Sequence, residues 1–266
     1  MSAPAESLDA ALHAVRERWG LHSIVRLEAS PTACASIGSE QAVAPPWWPN
    51  AHAAPVPQLV ELIGPASGGK LTLALLWLAA LPSDGPLAIV DPQGKLYPPA
   101  AAACGLDVRR LVVVQPPRQR DLLHAVSDLT RSEGFDAVLA IADADLRVSL
   151  ADAGQLRGFA AAAQTSVLVL REDGSLKRRA PAVATLPLND ARLRVEGHRW
   201  LWEDGELAGQ QLQVRTERSR QGLAGQAHEL TFRLYRRGFH GTRTDHLYLD
   251  TAVRAERGHA RAAAGG

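Results

Sequence analysis

Gly64-Pro65-Ala66-Ser67-Gly68-Gly69-Lys70-Leu71-Thr72 fits the pattern G-x-x-x-x-G-K of a phosphate-binding loop and then departs from it. An apolar run, Leu59-Val60-Glu61-Leu62-Ile63, enters the loop, and Leu73-Ala74-Leu75-Leu76-Trp77-Leu78 leaves it. This is the strand-loop-helix setting that gives such a loop its meaning. In a working loop, backbone N–H groups and the lysine hold phosphate oxygens, and a Ser or Thr hydroxyl after the lysine ligates Mg²⁺. Leu71 has no oxygen to offer there. The pattern nominates Gly64, Ser67, Gly69, Lys70 and Thr72 as a degenerate phosphate-binding set, with weak ATP binding left open and no other cofactor implied. Lys70, Lys95 and Lys177 are the only lysines, against 26 arginines. A lysine inside this loop is therefore placed rather than incidental.

With 266 residues, 46% of them hydrophobic, the chain can bury one sizeable core. A net charge of +1 argues against a wholly basic protein that coats nucleic acid. Cys34 and Cys104 are far apart and have no companion histidine cluster, so neither a disulfide framework nor a zinc site is expected, and no metal ligands are assigned. Residues Met1 to Leu12 lack a basic n-region and an apolar h-region, and no apolar run is long enough to span a bilayer. These features predict a soluble, cytoplasmic protein without membrane partners.

Leu8, Leu12, Val15 and Trp19 fall at helical spacing, predicting a helix over Ser7 to Trp19 with Ser7 as N-cap and Gly20 as its stop. Ser23 to Leu27 reads as a strand. From Leu59 apolar strands alternate with helices, predicting an α/β fold with a mainly parallel sheet covered on both faces. The expected strands are Leu59 to Ile63, Leu87 to Val90, Leu111 to Val114, Ala137 to Ile141 and Ser166 to Leu170. The expected helices are Lys70 to Leu81, Pro99 to Ala103, Gln119 to Glu133 and Gly154 to Ala163. After Arg192 the pattern turns to antiparallel strands, at Arg199 to Trp202, Gly209 to Arg215 and Glu229 to Tyr235. Trp200 and Trp202 alternate with Leu201 and are expected on one face, packed on the core or on a partner. The organisation reads as an N-terminal helix and strand over 1–27, a Pro/Ala-rich linker over 28–57, a core over 58–251 and a disordered tail over 252–266.

Several blocks in this order resemble bacterial RecA, from about Leu8 to Arg237. Val60 to Ser67 is similar to the strand and loop of its ATPase core. Ile89-Val90-Asp91-Pro92-Gln93 stands where the family carries its catalytic carboxylate, and Cys104-Gly105-Leu106-Asp107 to Gln115-Pro116 continues the similarity. The resemblance implies a RecA-like core, and Leu8 to Leu27 looks like the element with which RecA-type subunits pack on a neighbour. It thereby implies Leu12, Val15, Ile24, Val25 and Leu27 as partner-binding residues, with Leu12 and Val15 against a neighbour's core and Ile24 and Leu27 in an added edge strand.

The departures fall on the chemistry. Gln93 replaces the carboxylate that activates water, Leu71 replaces the metal-ligating hydroxyl, and Ile141 stands where a metal-associated aspartate is expected, with Asp143 two residues late. Pro98-Pro99-Ala100-Ala101 places no ring over an adenine. Both DNA-binding loops look short. Lys177, Arg178 and Arg179 remain as a small basic cluster for weak contact with single-stranded DNA, and Arg215, Arg218 and Arg220 lie where the family keeps basic residues that reach a neighbour's nucleotide.

A truncated, catalytically depleted relative of this size is similar to the ImuA family, sometimes described as SulA-like. That resemblance implies a pseudo-ATPase without catalytic residues, associated with the nucleoid when induced. It would bind RecA and an ImuB-like Y-family subunit to regulate SOS mutagenesis and DNA damage tolerance. The alternatives are an active DNA-dependent ATPase or recombination mediator, with Thr72 recruited for Mg²⁺ and Asp91 or Asp143 as the carboxylate, and a SulA-type cell division inhibitor.

Overall fold

Four short apolar runs alternate residues between two buried faces, and this alternation builds the centre of the molecule. In the computed structural model, which describes residues 4–20, 23–26, 59–81, 83–144, 146–173, 186–220, 224–239 and 242–256, these runs are the strands β2 (Leu59–Gly64), β3 (Leu87–Val90), β4 (Leu111–Val114) and β5 (Ala137–Ala142). With β1 (Ile24–Arg26), β6 (Ser166–Glu172), β7 (Ala191–Glu203), β8 (Glu206–Ser219), β9 (Ala227–Phe239) and β10 (Thr242–Glu256) they form one ten-stranded sheet, ordered β1-β4-β3-β5-β6-β2-β7-β8-β9-β10. Pairing is parallel from β4 through to β7 and antiparallel at β1 and from β7 to β10. The expected mainly parallel α/β sheet with antiparallel C-terminal strands is therefore present.

Leu87 and Ile89 face one apolar cluster while Ala88 and Val90 face the other, and Leu168 and Leu170 divide from Val167 and Val169 in the same way. A strand with both faces covered needs apolar residues throughout, because each side chain alternates between two dry environments. The first face carries α2 (Lys70–Ala79) and α3 (Pro98–Ala103); the second carries α1 (Pro4–Trp19), α4 (Leu122–Arg131) and α5 (Leu150–Ala163).

Several local expectations are corrected. α1 begins at Pro4, so Ser7 lies inside the helix rather than capping it. Gly20, at φ 91°, does end it. The segment expected as one helix from Gln119 opens with a 3₁₀ turn, Gln119–Asp121, before α4. α5 begins a turn earlier than expected because Ser149 caps it, its Oγ accepting from the Asp152 amide at 3.0 Å. The antiparallel strands are far longer than their apolar cores suggested. Asp204-Gly205, at φ 51° and 77°, supplies the tight turn that lets β7 and β8 pair over their whole length. The expected tail from Ala252 is corrected as well, since β10 continues through Glu256. Trp200 and Trp202 do not pack on the core; they are 48% and 64% exposed.

α1 docks on its own chain. Ala11, Leu12 and Val15 are buried in the second cluster beside α4, and Arg18 bridges to Asp128 at 2.9 Å. β1 pairs antiparallel with β4, Ile24 opposite Val114, and forms one edge of the sheet. Leu12 and Val15, read as surfaces for a neighbour, are thus covered by this chain's core. Leu27, the linker 28–57 and Lys177, Arg178 and Arg179 lie outside the described residues.

His228, at the start of β9, has a buried Nδ1 without a hydrogen-bond partner, and burial lowers its pKa. The folded chain then takes up this proton less readily than the unfolded one. Stability from this group is full above the unfolded value near 6.5 and is lost as pH falls below it. The urea midpoint is expected to fall between pH 7 and pH 5, with a shallower slope in His228→Gln.

Candidate functional site

The loop between β2 and α2 is shaped by two residues in the left-handed region, Ser67 at φ 57° and Gly69 at φ 84°. The Gly68 amide donates to the Pro65 carbonyl at 3.1 Å, closing the turn. Gly64 is required by the neighbouring strand: a Cβ there would lie 2.9 Å from both the Cβ and the backbone oxygen of Val195 on β7. A Cβ on Gly69 would meet Leu212 at 2.9 Å and Gln210 Oε1 at 3.1 Å. Both glycines are therefore fixed by the close approach of β7 or β8, and Gly69 by its left-handed backbone as well.

Lys70 opens α2 and is 8% exposed. Its Nζ donates to the Pro65 carbonyl, folding the side chain back over the loop. Burial lowers its pKa, partly opposed by the nearby Glu172 and Asp173 carboxylates. The loop lines a cavity of about 440 Å³ that also includes Leu71, Thr72, Lys95, Ile141, Ala142, Leu170, Arg171, Glu172, Trp200 and Gln210. Of the nominated set, Ser67, Gly69, Lys70 and Thr72 converge on it.

Its wall on the β5 and β6 side is mixed: Ile141, Ala142 and Leu170 are apolar, and Arg171 and Glu172 are charged. Leu71, Ile141, Ala142 and Leu170 bring no side-chain oxygen to the cavity, and no cluster of metal-ligating side chains occurs among the described residues. Asp143 lies just beyond Ile141, where its carboxylate accepts from the Gln93 amide and pairs with Lys95 at 3.5 Å. Lys95 in turn pairs with Glu172 at 3.1 Å. Asp91 is fully buried, and its Oδ2 accepts from the Leu96 amide at 2.7 Å. Neither Asp91 nor Asp143 lines the cavity, and both have structural partners. Tyr97 is 67% exposed and also outside the cavity. Arg215 pairs with Glu196 at 2.6 Å and Arg220 with Asp190 at 3.4 Å.

Sequence reasoning missed three features. Gln210 and Trp200 face each other across β7 and β8 and line the cavity, although neither belongs to the loop pattern. His198 meets the Trp200 ring edge-on, with centroids 6.2 Å apart. Beneath the cavity, fully buried Glu61 accepts from Arg171 Nη1 at 3.2 Å, Arg192 Nε at 2.6 Å, Asn189 Nδ2 at 3.2 Å and the Leu186 amide at 2.9 Å. A glutamate inside an otherwise apolar β2 was the available signal, since a buried carboxylate demands partners.

Residues 6–169 match the RecA N-terminal domain family. Similar proteins include the protein RecA of Crocosphaera subtropica, 40% identical over 86 residues that cover 32% of this chain and 25% of that protein. The protein RecA of Thermus aquaticus is 32% identical over 141 residues, covering 50% of this chain and 40% of its own length. That of Clostridium acetobutylicum is 30% identical over 143 residues, covering 50% and 39%. The matches thus span from a quarter to two fifths of these relatives. SulA from Pseudomonas aeruginosa is a structural neighbour at 20% identity and a TM-score of 0.37, covering 42% of this chain and 97% of that one.

Proposed function

The chain belongs to the RecA N-terminal domain family, and from that premise we propose that it is a RecA relative of ImuA type that acts by binding rather than by hydrolysing nucleotide. Its partners on this reading are RecA and an ImuB-like Y-family subunit, and its role is regulation of translesion mutagenesis in the SOS response. The observation that carries the reading is that Leu71 and Ile141 line the loop cavity. Leu71 and Ile141 supply no metal oxygen, and Gln93 supplies no base, so transfer of a phosphoryl group would lack both charge neutralisation and activation of water.

Docking on RecA, in this reading, uses α1 and β1 as an exchangeable unit. They hold an edge of the sheet through three β1 residues, and 32 residues separate Arg26 from Leu59. Released from β4, the unit offers an apolar helix face and an edge strand to a homologous core.

A disulfide between β1 and β4 tests this directly. Ile24 and Val114 are directly opposed in an antiparallel pair, where Cα atoms stand about 4.5–5.5 Å apart, within reach of a disulfide. In Ile24→Cys/Val114→Cys with Cys34→Ser, oxidation is expected to reduce RecA binding at least tenfold in biolayer interferometry, with recovery on reduction. Cys104 will not interfere, because burial pushes its thiol up to about 12. Unchanged binding by the oxidised protein would remove the exchange model, and no RecA binding by the unmodified chain would remove the adaptor reading. Phosphate release from ATP is expected at background, unaltered by Lys70→Ala; DNA-stimulated release that Lys70→Ala abolishes would establish an ATPase instead.

A further inference from the structure

β7 pairs with β2 only from Ala191 to Arg194, whereas its pairing with β8 runs on to Glu203. The far half of this hairpin therefore projects past β2 and over the loop cavity, which Trp200 and Gln210 line. Trp200 and Trp202 alternate with Leu201, so both exposed rings lie on one face of β7, with their Cα atoms about 7 Å apart along the strand. His198 stands edge-on to Trp200 and steadies its ring. At about 150–250 Å² for a fully buried aromatic side chain, the two tryptophans leave on the order of 200 Å² in water. A stable interface takes roughly 800 Å² from each partner. The patch therefore suits a short segment of a partner, not a second copy of this chain.

At the inner end of this patch two buried donors lack an anion. Gln210 is 6% exposed, and its amide nitrogen has no acceptor. Lys70 is buried and donates to the neutral Pro65 carbonyl, and among the described residues no carboxylate pairs with it. The other charged groups lining the cavity hold one another or a neighbour: Arg171 pairs with Glu61 at 3.2 Å, and Lys95 with Glu172 at 3.1 Å and Asp143 at 3.5 Å. Asp173, whose charge also acts on Lys70, pairs with Arg194 at 3.3 Å. A buried donor left unmade and a buried ammonium without a counter-ion both cost stability. One carboxylate has an oxygen for each of them.

We propose that the Trp200–Trp202 face and the cavity mouth form one docking groove for an extended partner segment, whose acidic side chain accepts from Lys70 and Gln210 while its apolar side chains cover the two indoles. Lys70 exchanges the Pro65 carbonyl for one carboxylate oxygen, and Gln210 Nε2 donates to the other. Glu172 stays on Lys95, which screens it from the incoming acid. The N-terminal end of α2, beside the same cavity, favours the same sign of charge. Rings two residues apart on a strand select apolar side chains at alternate positions of an extended segment, next to the acid. No residue of α1 or β1 takes part, so this groove is independent of docking on RecA through that unit.

Selection of random short peptides displayed on phage against the immobilised full chain tests it, followed by fluorescence anisotropy of the enriched peptide. Enriched sequences are expected to share an Asp or Glu beside apolar residues at alternate positions. Replacing that acid by its amide is expected to weaken binding about thirtyfold, as when one partner of a buried charge pair is truncated. Trp202 lies outside the cavity lining, and Trp202→Ala is expected to weaken the peptide about fivefold. Gln210→Glu places an anion in the cavity from this chain itself. It is expected to abolish peptide binding while leaving the melting temperature equal or higher, because the unmade donor is gone and Lys70 gains a carboxylate. A residue kept only for packing would behave in the opposite way, lowering the melting temperature and sparing the peptide. Selection of no peptide, enriched peptides without an acid, or undiminished affinity in Gln210→Glu would each overturn the proposal. Tighter binding of ADP than of the peptide would assign the two donors to phosphate and overturn it as well. RecA is absent from every arm, so failure here leaves the adaptor reading standing.

Discussion

Glu61→Leu is expected to lower unfolding stability by about 3–5 kcal/mol in urea titration, the range for breaking a buried ion pair by removing one partner. Glu61 and Arg171 are both fully buried. Burial pushes the Arg171 guanidinium pKa down, opposed by the charge and hydrogen bond of Glu61. Without the carboxylate the guanidinium stays in a dry environment, where the Ala144 and Leu146 carbonyls that accept from it are neutral. Arg192 Nε, Asn189 Nδ2 and the Leu186 amide lose their acceptor at the same time. The double variant Glu61→Leu/Arg171→Met is expected to recover a large part of the loss, because replacing both charges with apolar side chains removes the penalty along with the attraction. A single variant within 0.5 kcal/mol of the parent would show that the group carries no net load. The same carboxylate ties the chain at Leu186, and Arg171 ties it at Ala144 and Leu146. Amide exchange at these three points should therefore rise together in Glu61→Leu.

Gly209→Ala is expected to separate β9 and β10 from the rest of the sheet. An alanine Cβ would lie 2.0 Å from the Phe232 carbonyl oxygen and 3.2 Å from Arg233 Cα, both backbone atoms of the paired strand. No side-chain rotation relieves such a contact, so the strands must part. Within the sheet β9 is joined to the core through β8, and β10 through β9. Overpacking of this kind costs typically about 1–3 kcal/mol. Hydrogen exchange should quicken across β9 and β10, while β3, β5, β6 and β2 keep their protection. Equal exchange in both regions would show that this glycine is not a register point.

The central fold was legible because its signals are local. Four-residue and six-residue apolar runs such as Leu87–Val90 and Ala137–Ala142 admit little but doubly covered strands, and the glycines and Lys70 place a loop between β2 and α2. The long hairpins were read short because charged residues interrupt the apolar ones: in β7, Arg192, Arg194 and Glu196 alternate with buried Ala191, Leu193 and Val195, and in β8, Glu217 and Arg218 follow buried Thr216. The Asp204-Gly205 turn was the usable sign.

By itself the sequence determined the α/β class, through its alternating apolar runs, and that Leu71, Ile141 and Gln93 carry neither hydroxyl nor carboxylate, which is a matter of which atoms a residue type contains. Tertiary structure alone decided that α1 covers this chain's own core, that Glu61 gathers two arginines, and that Gln210 and Trp200 reach a loop about 140 residues away in sequence. Strand order and register bring those groups together, and no local periodicity encodes which strands become neighbours.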